Sequence, residues 1–267
     1  MIQAIDRAAR VLSLLQGARH LGISELAAAL ELPPSTVHGI VKSLQSHGLV
    51  AREPHGNRYT LGPALLKLSN VYLDTLDVRA RAMRWTSELA RRTGLSTRLG
   101  VELFDEVIII HHNYRPDGSE QMPETGLSIP AHASAMGKVL LAYNPILARS
   151  ILEPAGFETL TVPPTPVQLR SLTGDTITLA TGLAEQFPAI LERGIATEVD
   201  EAVLGEASVA APVADKSGAV VAAVAVVLPS SNWPIEESVL NVLRETARNI
   251  SRELGAPGWP PAVSADL

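Results

Sequence analysis

The proline pair Pro33-Pro34 constrains this chain more than any other feature, because it halts one helix and starts the next at a fixed point. Beyond it, Val37, Ile40, Val41 and Leu44 recur at i, i+3, i+4 and i+7, which lays one apolar stripe along a helix. At about 100° per residue, Ser35, Gly39, Lys42 and Ser46 point away from that stripe, with Thr36, His38 and Ser43 on its flanks. Ser35 and Thr36 are suited to cap the helix start, and Gly48 to end it. Leu49 to Glu53 and Arg58 to Leu61 then read as two short strands around the turn Pro54-His55-Gly56-Asn57, with Arg52 and Arg58 on either side.

Upstream, Ile5, Ala8, Leu12 and Leu15 mark a first helix over Ala4 to Gln16, and Ser24 is placed to cap a second short helix. Helix, short helix, proline-started helix and β-hairpin within 62 residues is the order of a winged helix-turn-helix. Residues 1–62 carry six Lys and Arg against four Asp and Glu, whereas the whole chain is net −6. A weakly basic module on an acidic body suits a site-specific reader of double-stranded DNA rather than a protein that coats nucleic acid. The expected contacts are Ser35, Thr36, His38, Gly39, Lys42, Ser43, Arg52 and Arg58. A helical subdomain with a hairpin that serves as a protein–protein adaptor would share the pattern, but not the polar face and charge split.

With 267 residues and 46% apolar content the chain can hold two cores, since domains run about 100 to 200 residues. The absence of cysteine excludes disulfides and thiolate metal sites, and no run reaches the roughly 18 apolar residues of a membrane span. A cytoplasmic protein without a signal peptide and with no membrane partner is expected. The expected division is a DNA-binding domain over 1–62, linker helices over 63–93, a second domain over 94–255 and a disordered Pro-rich tail over 256–267. Leu65, Leu68, Tyr72 and Leu76, and then Val78 to Thr93, run at helical spacing and offer faces for a dimer or for their own chain.

From Leu95 the periodicity changes to strands, Thr97 to Leu103 and Val107 to His111, then a long loop over 113–130, the helix-like run IPAHASAMGKVLLA and a Pro-rich connection at Pro154, Pro163, Pro164 and Pro166. A helix ending near Gly194, strands Ser208 to Ala214 and Ala219 to Leu228, and a helix Glu236 to Leu254 complete an α+β pattern with helices on one side of an antiparallel sheet. Three catalytic or metal readings fail on spacing. Ser134 and Lys138 are four apart, not S-x-x-K, and no G-x-S-x-G is present. His111, His112 and His132 with Glu198, Asp200 or Glu201 lack tight ligand spacing. Gly137-Lys138 lacks the rest of a phosphate loop. No cofactor and no enzymatic activity are expected, although a small-molecule enzyme with an accessory helical domain remains the alternative.

Five segments in order, AIDRAARVLSLL, LPPSTVHGIVKSL, RYTLGPALLKL, PAHASAMGKVLLA and LERGIATEVDEAVLGEASVAAPVADKSGAVVAAVAV, resemble the isocitrate lyase regulator (IclR) family of transcription factors over nearly the whole length. The resemblance implies an N-terminal winged helix that binds a palindromic operator as a dimer or dimer of dimers. It also implies a C-terminal GAF-like antiparallel-sheet domain that binds a small organic acid, in a protein that more often represses than activates. Pro34 and Gly39 stand where the family often has basic residues, which thins the DNA contacts.

By the same resemblance the effector would sit at the turn Ala133, Ser134, Ala135, Met136 and Gly137, whose helix-start N–H groups suit an anion, faced by Glu198 or Asp200, Ser208, Ala225 and Val227. Ala225 and Val227 stand where relatives often have hydroxyl or thiol groups, so an aromatic or otherwise apolar acid is expected.

Overall fold

The structure is a computed structural model that describes residues 2–152 and 167–261, and it divides into two compact units, Met1–Thr75 and Leu76–Leu267. The expected Pro-rich connection at Pro154, Pro163, Pro164 and Pro166 and tail residues 262–267 lie outside the described residues. No helix among the described residues is long and apolar enough to cross a membrane.

The first unit runs α1 (Gln3–Ala18), β1 (Leu21–Gly22), α2 (Ile23–Leu30), α3 (Pro34–Ser46), β2 (Val50–Arg52), β3 (Arg58–Leu61) and α4 (Ala64–Thr75). Its core joins Val11 and Leu15 of α1, Leu26 and Leu30 of α2, Val37, Val41 and Leu44 of α3, and Val50 and Tyr59 of the wing. The stripe on α3 is therefore the buried face. Three local details differ from the sequence reading. Ile5 is 65% exposed, so the buried face of α1 starts a turn later. Gly22, not Ser24, precedes α2, and the Glu25 carboxylate accepts the Gly22 N–H at 2.7 Å. Pro33 precedes α3 and Pro34 occupies its first turn, which leaves Ser35 and Thr36 inside the helix, where neither side chain caps it. The two-residue β1 was not expected; it pairs antiparallel with β3 beside β2.

The second unit runs α5 (Asp77–Thr93), β4 (Ser96–Leu103), β5 (Glu106–Asn113), β6 (Ser128–Pro130), α6 (Ala135–Tyr143), α7 (Pro145–Leu152), α8 (Ala180–Ala184), α9 (Phe187–Arg193), β7 (Ala196–Val199), β8 (Glu206–Ala214), β9 (Val220–Pro229) and α10 (Glu237–Glu253). Its six-stranded antiparallel sheet has the order β6-β5-β4-β9-β8-β7. Helices cover both faces, not one as the sequence suggested. Ala207 to Ala214 are all buried, which a sheet with one wet face does not permit. On one face α5 and α10 pack on the sheet, with the Thr97 hydroxyl donating to the Thr86 carbonyl at 3.2 Å. On the other, α6 lies over β7, β8 and β9, and Met136 belongs to the same buried cluster as Val107, Ala210, Ala223 and Ala225. The expectation of a disordered tail does not hold for residues 256–261, because the Trp259 indole donates to the Pro212 carbonyl at 2.9 Å and Pro261 is buried.

Candidate functional site

In the first unit, the face of α3 opposite its core stripe presents Ser35, His38, Gly39, Lys42 and Ser43 to solvent, with Thr36 half-buried. Arg52 and Arg58 are also exposed, but each has a partner within the unit. Arg52 braces the wing turn, donating from Nε to the Gly56 carbonyl at 3.2 Å and from its guanidinium tip to Asn57 Oδ1 at 2.5 Å. Arg58 pairs with Glu25 at 3.0 Å across the start of α2, an exposed pair that contributes little to stability. A groove of about 590 Å³ runs between these elements, lined by Ser24, Glu25, His38, Arg52, Asn57 and Arg58 among others. Ser24, Glu25 and Asn57 were not among the expected DNA contacts, because the groove joins α2, α3 and the wing only after they pack. At Gly39 an added Cβ would meet nothing within 4 Å, so packing within the unit does not require glycine there.

In the second unit the turn Ala133 to Gly137 is buried throughout. Ser134 caps α6, its Oγ accepting the Gly137 N–H at 3.0 Å, so one of the N–H groups expected for an anion is already used. A Cβ on Gly137 would lie 2.1 Å from the Ala131 carbonyl oxygen, so only glycine lets α6 start this close to the preceding turn. The Met136 sulfur lies against Gly100, where it fills the space under the sheet. Ser208 and Glu198 meet across β8 and β7, with the serine hydroxyl donating to Glu198 Oε1 at 2.8 Å. Burial pushes the Glu198 carboxyl up to about 7, against the lowering effect of that hydrogen bond. Asp200 instead shapes a turn, with its φ at +57° and its carboxylate accepting the Gly205 N–H at 2.5 Å. Lys138, fully buried, donates to Glu201 at 2.5 Å and to the Thr197 carbonyl at 3.3 Å. Burial raises the Glu201 carboxyl, outweighing the pull of Lys138. Ser134 and Lys138 are thus each committed to structural partners, and among the described residues no three His, Asp or Glu side chains converge as metal ligands.

A polar cavity of about 270 Å³ opens where the ends of β4, β8 and β9 meet the loop over 114–127, and of the expected effector residues it takes in Val227 alone. At its wall Arg98 is almost wholly buried between two carboxylates. It donates to Glu124 at 2.5 and 2.8 Å and to Glu206 at 2.7 and 3.0 Å. Burial works against the guanidinium charge, but the two glutamates outweigh it and hold Arg98 protonated well above its ordinary range. Arg98 in turn keeps Glu124 below its ordinary value, against the effect of burial. Ser96 Oγ bonds His112 Nε2 at 2.9 Å, and burial lowers the His112 pKa. Sequence reasoning missed Arg98, Glu124 and Glu206; an arginine next to Leu99 within a strand was the available signal, whereas its two acids lie 26 and 108 residues away.

Two family models match the chain. One describes the IclR helix-turn-helix domain and spans residues 4–54, and the other describes the C-terminal domain of bacterial transcriptional regulator IclR and spans residues 70–252. The chain is 41% identical over 261 residues to the glycerol operon regulatory protein of Streptomyces griseus, covering 96% of this chain and 97% of that one. It is 38% identical over 260 residues to the protein of the same name in Streptomyces coelicolor, covering 96% and 97%. A crystal structure of an IclR-type regulator from Alicyclobacillus acidocaldarius superposes with a TM-score of 0.75 at 25% identity, covering 94% of this chain and 98% of that one.

Proposed function

The chain belongs to the IclR family of bacterial transcriptional regulators, a DNA-binding family and not an enzyme family, and on that premise we propose that it is a ligand-responsive repressor. The observation that carries this reading is the exposed polar face of α3 beside the wing, with Lys42 unengaged in any ion pair found among the described residues. Ser35, Thr36, His38, Gly39, Lys42 and Ser43 approach the major groove, and Arg52 and Arg58 give up part of their present contacts to reach phosphates.

The DNA-bound unit is at least a dimer on a palindromic operator, because one short helix reads too few base pairs to specify a site. Support for a dimer comes from α4, which has no buried residue and exposes Leu66, Leu68, Val71 and Tyr72. The names of the Streptomyces relatives suggest that its targets include genes for glycerol use. The second unit takes a small organic acid as effector, at the cavity that Val227 lines, and the acid shifts the protein away from its operator-binding form by preferring the other. A gel shift with the promoter beside its own gene, in excess competitor DNA, tests the reading. A specific complex is expected, and loss of the complex to unrelated DNA at equal concentration would overturn it.

A further inference from the structure

The cavity at Arg98 is more than a brace between loop and sheet. A brace would need the arginine and its two acids, yet Arg115 also lines the space, and its Nε is buried without a hydrogen-bond partner, 3.9 Å from Asp117. The loop holding Arg115 is itself built: Gln121 accepts the Arg115 N–H at 3.0 Å, and Asp117 accepts from Ser119 at 2.6 and 2.9 Å. Arg98 and Arg115 offset the charges of Glu124 and Glu206, and Asp117 stands beside Arg115, so net charge does not draw an anion into the cavity and local donors decide. Each glutamate oxygen accepts from Arg98 and keeps a further lone pair. The spare lone pairs of the two carboxylates can accept from hydroxyl donors, and the unpartnered Arg115 Nε–H can donate to an acid oxygen.

We infer that this cavity binds a short hydroxylated carboxylic acid, with its carboxylate on Arg115 and its hydroxyls donating to Glu124 and Glu206. The inference rests on the reading of the second unit as an effector domain, and it replaces an apolar acid with a polar one. At about 270 Å³ the space suits a compact chain rather than a fused-ring ligand. Because Glu124 sits on the loop and Arg98 on β4, hydroxyls that compete for Glu124 change how firmly the loop is held to the sheet.

Calorimetry on the full-length protein with three six-carbon probes tests this: gluconate, hexanoate, which has the acid without the hydroxyls, and sorbitol, which has the hydroxyls without the acid. Gluconate is expected to bind at least tenfold tighter than either. Arg115→Gln, which leaves no buried charge unpaired, is expected to weaken gluconate at least tenfold without lowering Tm; Glu124→Gln, which makes one lone-pair acceptor into a donor, should also weaken it. Equal affinity for hexanoate and gluconate, no detectable gluconate binding, or an Arg115→Gln protein that binds gluconate as the parent does would each overturn the site. Gluconate binding with the expected ranking but no change in operator affinity would keep the site and remove the effector reading. Operator release by hexanoate, with gluconate inert, would do the reverse.

Discussion

Gly39 shows at the scale of one residue how a stability argument and a binding argument can be separated. Nothing in the unit needs glycine there, and glycine inside a helix costs about 1 kcal/mol relative to alanine. Gly39→Ala is expected to raise stability in urea by that order. If the DNA backbone approaches α3 closely at this point, the same change weakens operator binding, and a titration of both proteins reads the difference. Lys42→Ala should lower the salt slope of operator binding by about one unit, equally for specific and nonspecific DNA; equal slopes would remove Lys42 from the phosphate contacts. Glu198 titrates near 4.5 when unperturbed and at about 7 in the folded chain. Its folded pKa is raised, so its contribution to stability is fully present below pH 4.5 and is lost as pH rises through about 7. Glu198→Gln keeps the neutral form at all pH values. The variant should gain on the parent by up to about 3 kcal/mol between pH 4.5 and pH 8, measured by urea unfolding at each pH. A constant difference across that range would show that burial does not shift this carboxyl.

At the scale of elements, α3 and α4 illustrate two fates of an apolar helical pattern. The stripe on α3 meets α1, α2 and the wing and is buried, whereas α4 keeps a similar pattern with nothing buried beneath it. Burying such side chains is worth about 25 cal/mol per Å², which favours covering the face with a second copy. Leu68→Glu with Tyr72→Glu is expected to lower the apparent mass in sedimentation to that of a monomer and to weaken operator binding at least tenfold. A dimer that survives both changes would move the interface elsewhere. The sequence placed nearly every long helix and strand within a few residues, because their periodicity is local. It missed β1, β6 and β7, which have two to four residues each and are held by pairing rather than by pattern, and it missed the short helices α7 and α8 as well.

At the scale of the whole molecule, binding is expected to require symmetry outside the chain. Two half-sites should lie about 34 Å apart, one helical turn, or a multiple of it. A footprint confined to one asymmetric half-site would contradict the dimer. The boundary between compact units falls at Thr75, so α4 belongs to the first unit and α5 to the second.

What the sequence determined by itself was the part of the protein whose cause is local. Pro33-Pro34 and the stripe at Val37, Ile40, Val41 and Leu44 fix the start and the inward face of α3, and hence which side chains remain for DNA. Family membership was legible for the same reason, in five short segments. Only tertiary structure decided which polar side chains meet. Arg98, Glu124 and Glu206 come from a strand, a loop and another strand, and they form one network because sheet order places β4 and β8 on either side of β9. Helices on both faces of that sheet were equally beyond the sequence, since a run such as Ala207 to Ala214 reads as small and apolar whichever helix covers it. The turn at Ala133 to Gly137 could be found by its residues, but its burial under the sheet follows from Met136 and Gly100 filling the same space from different elements.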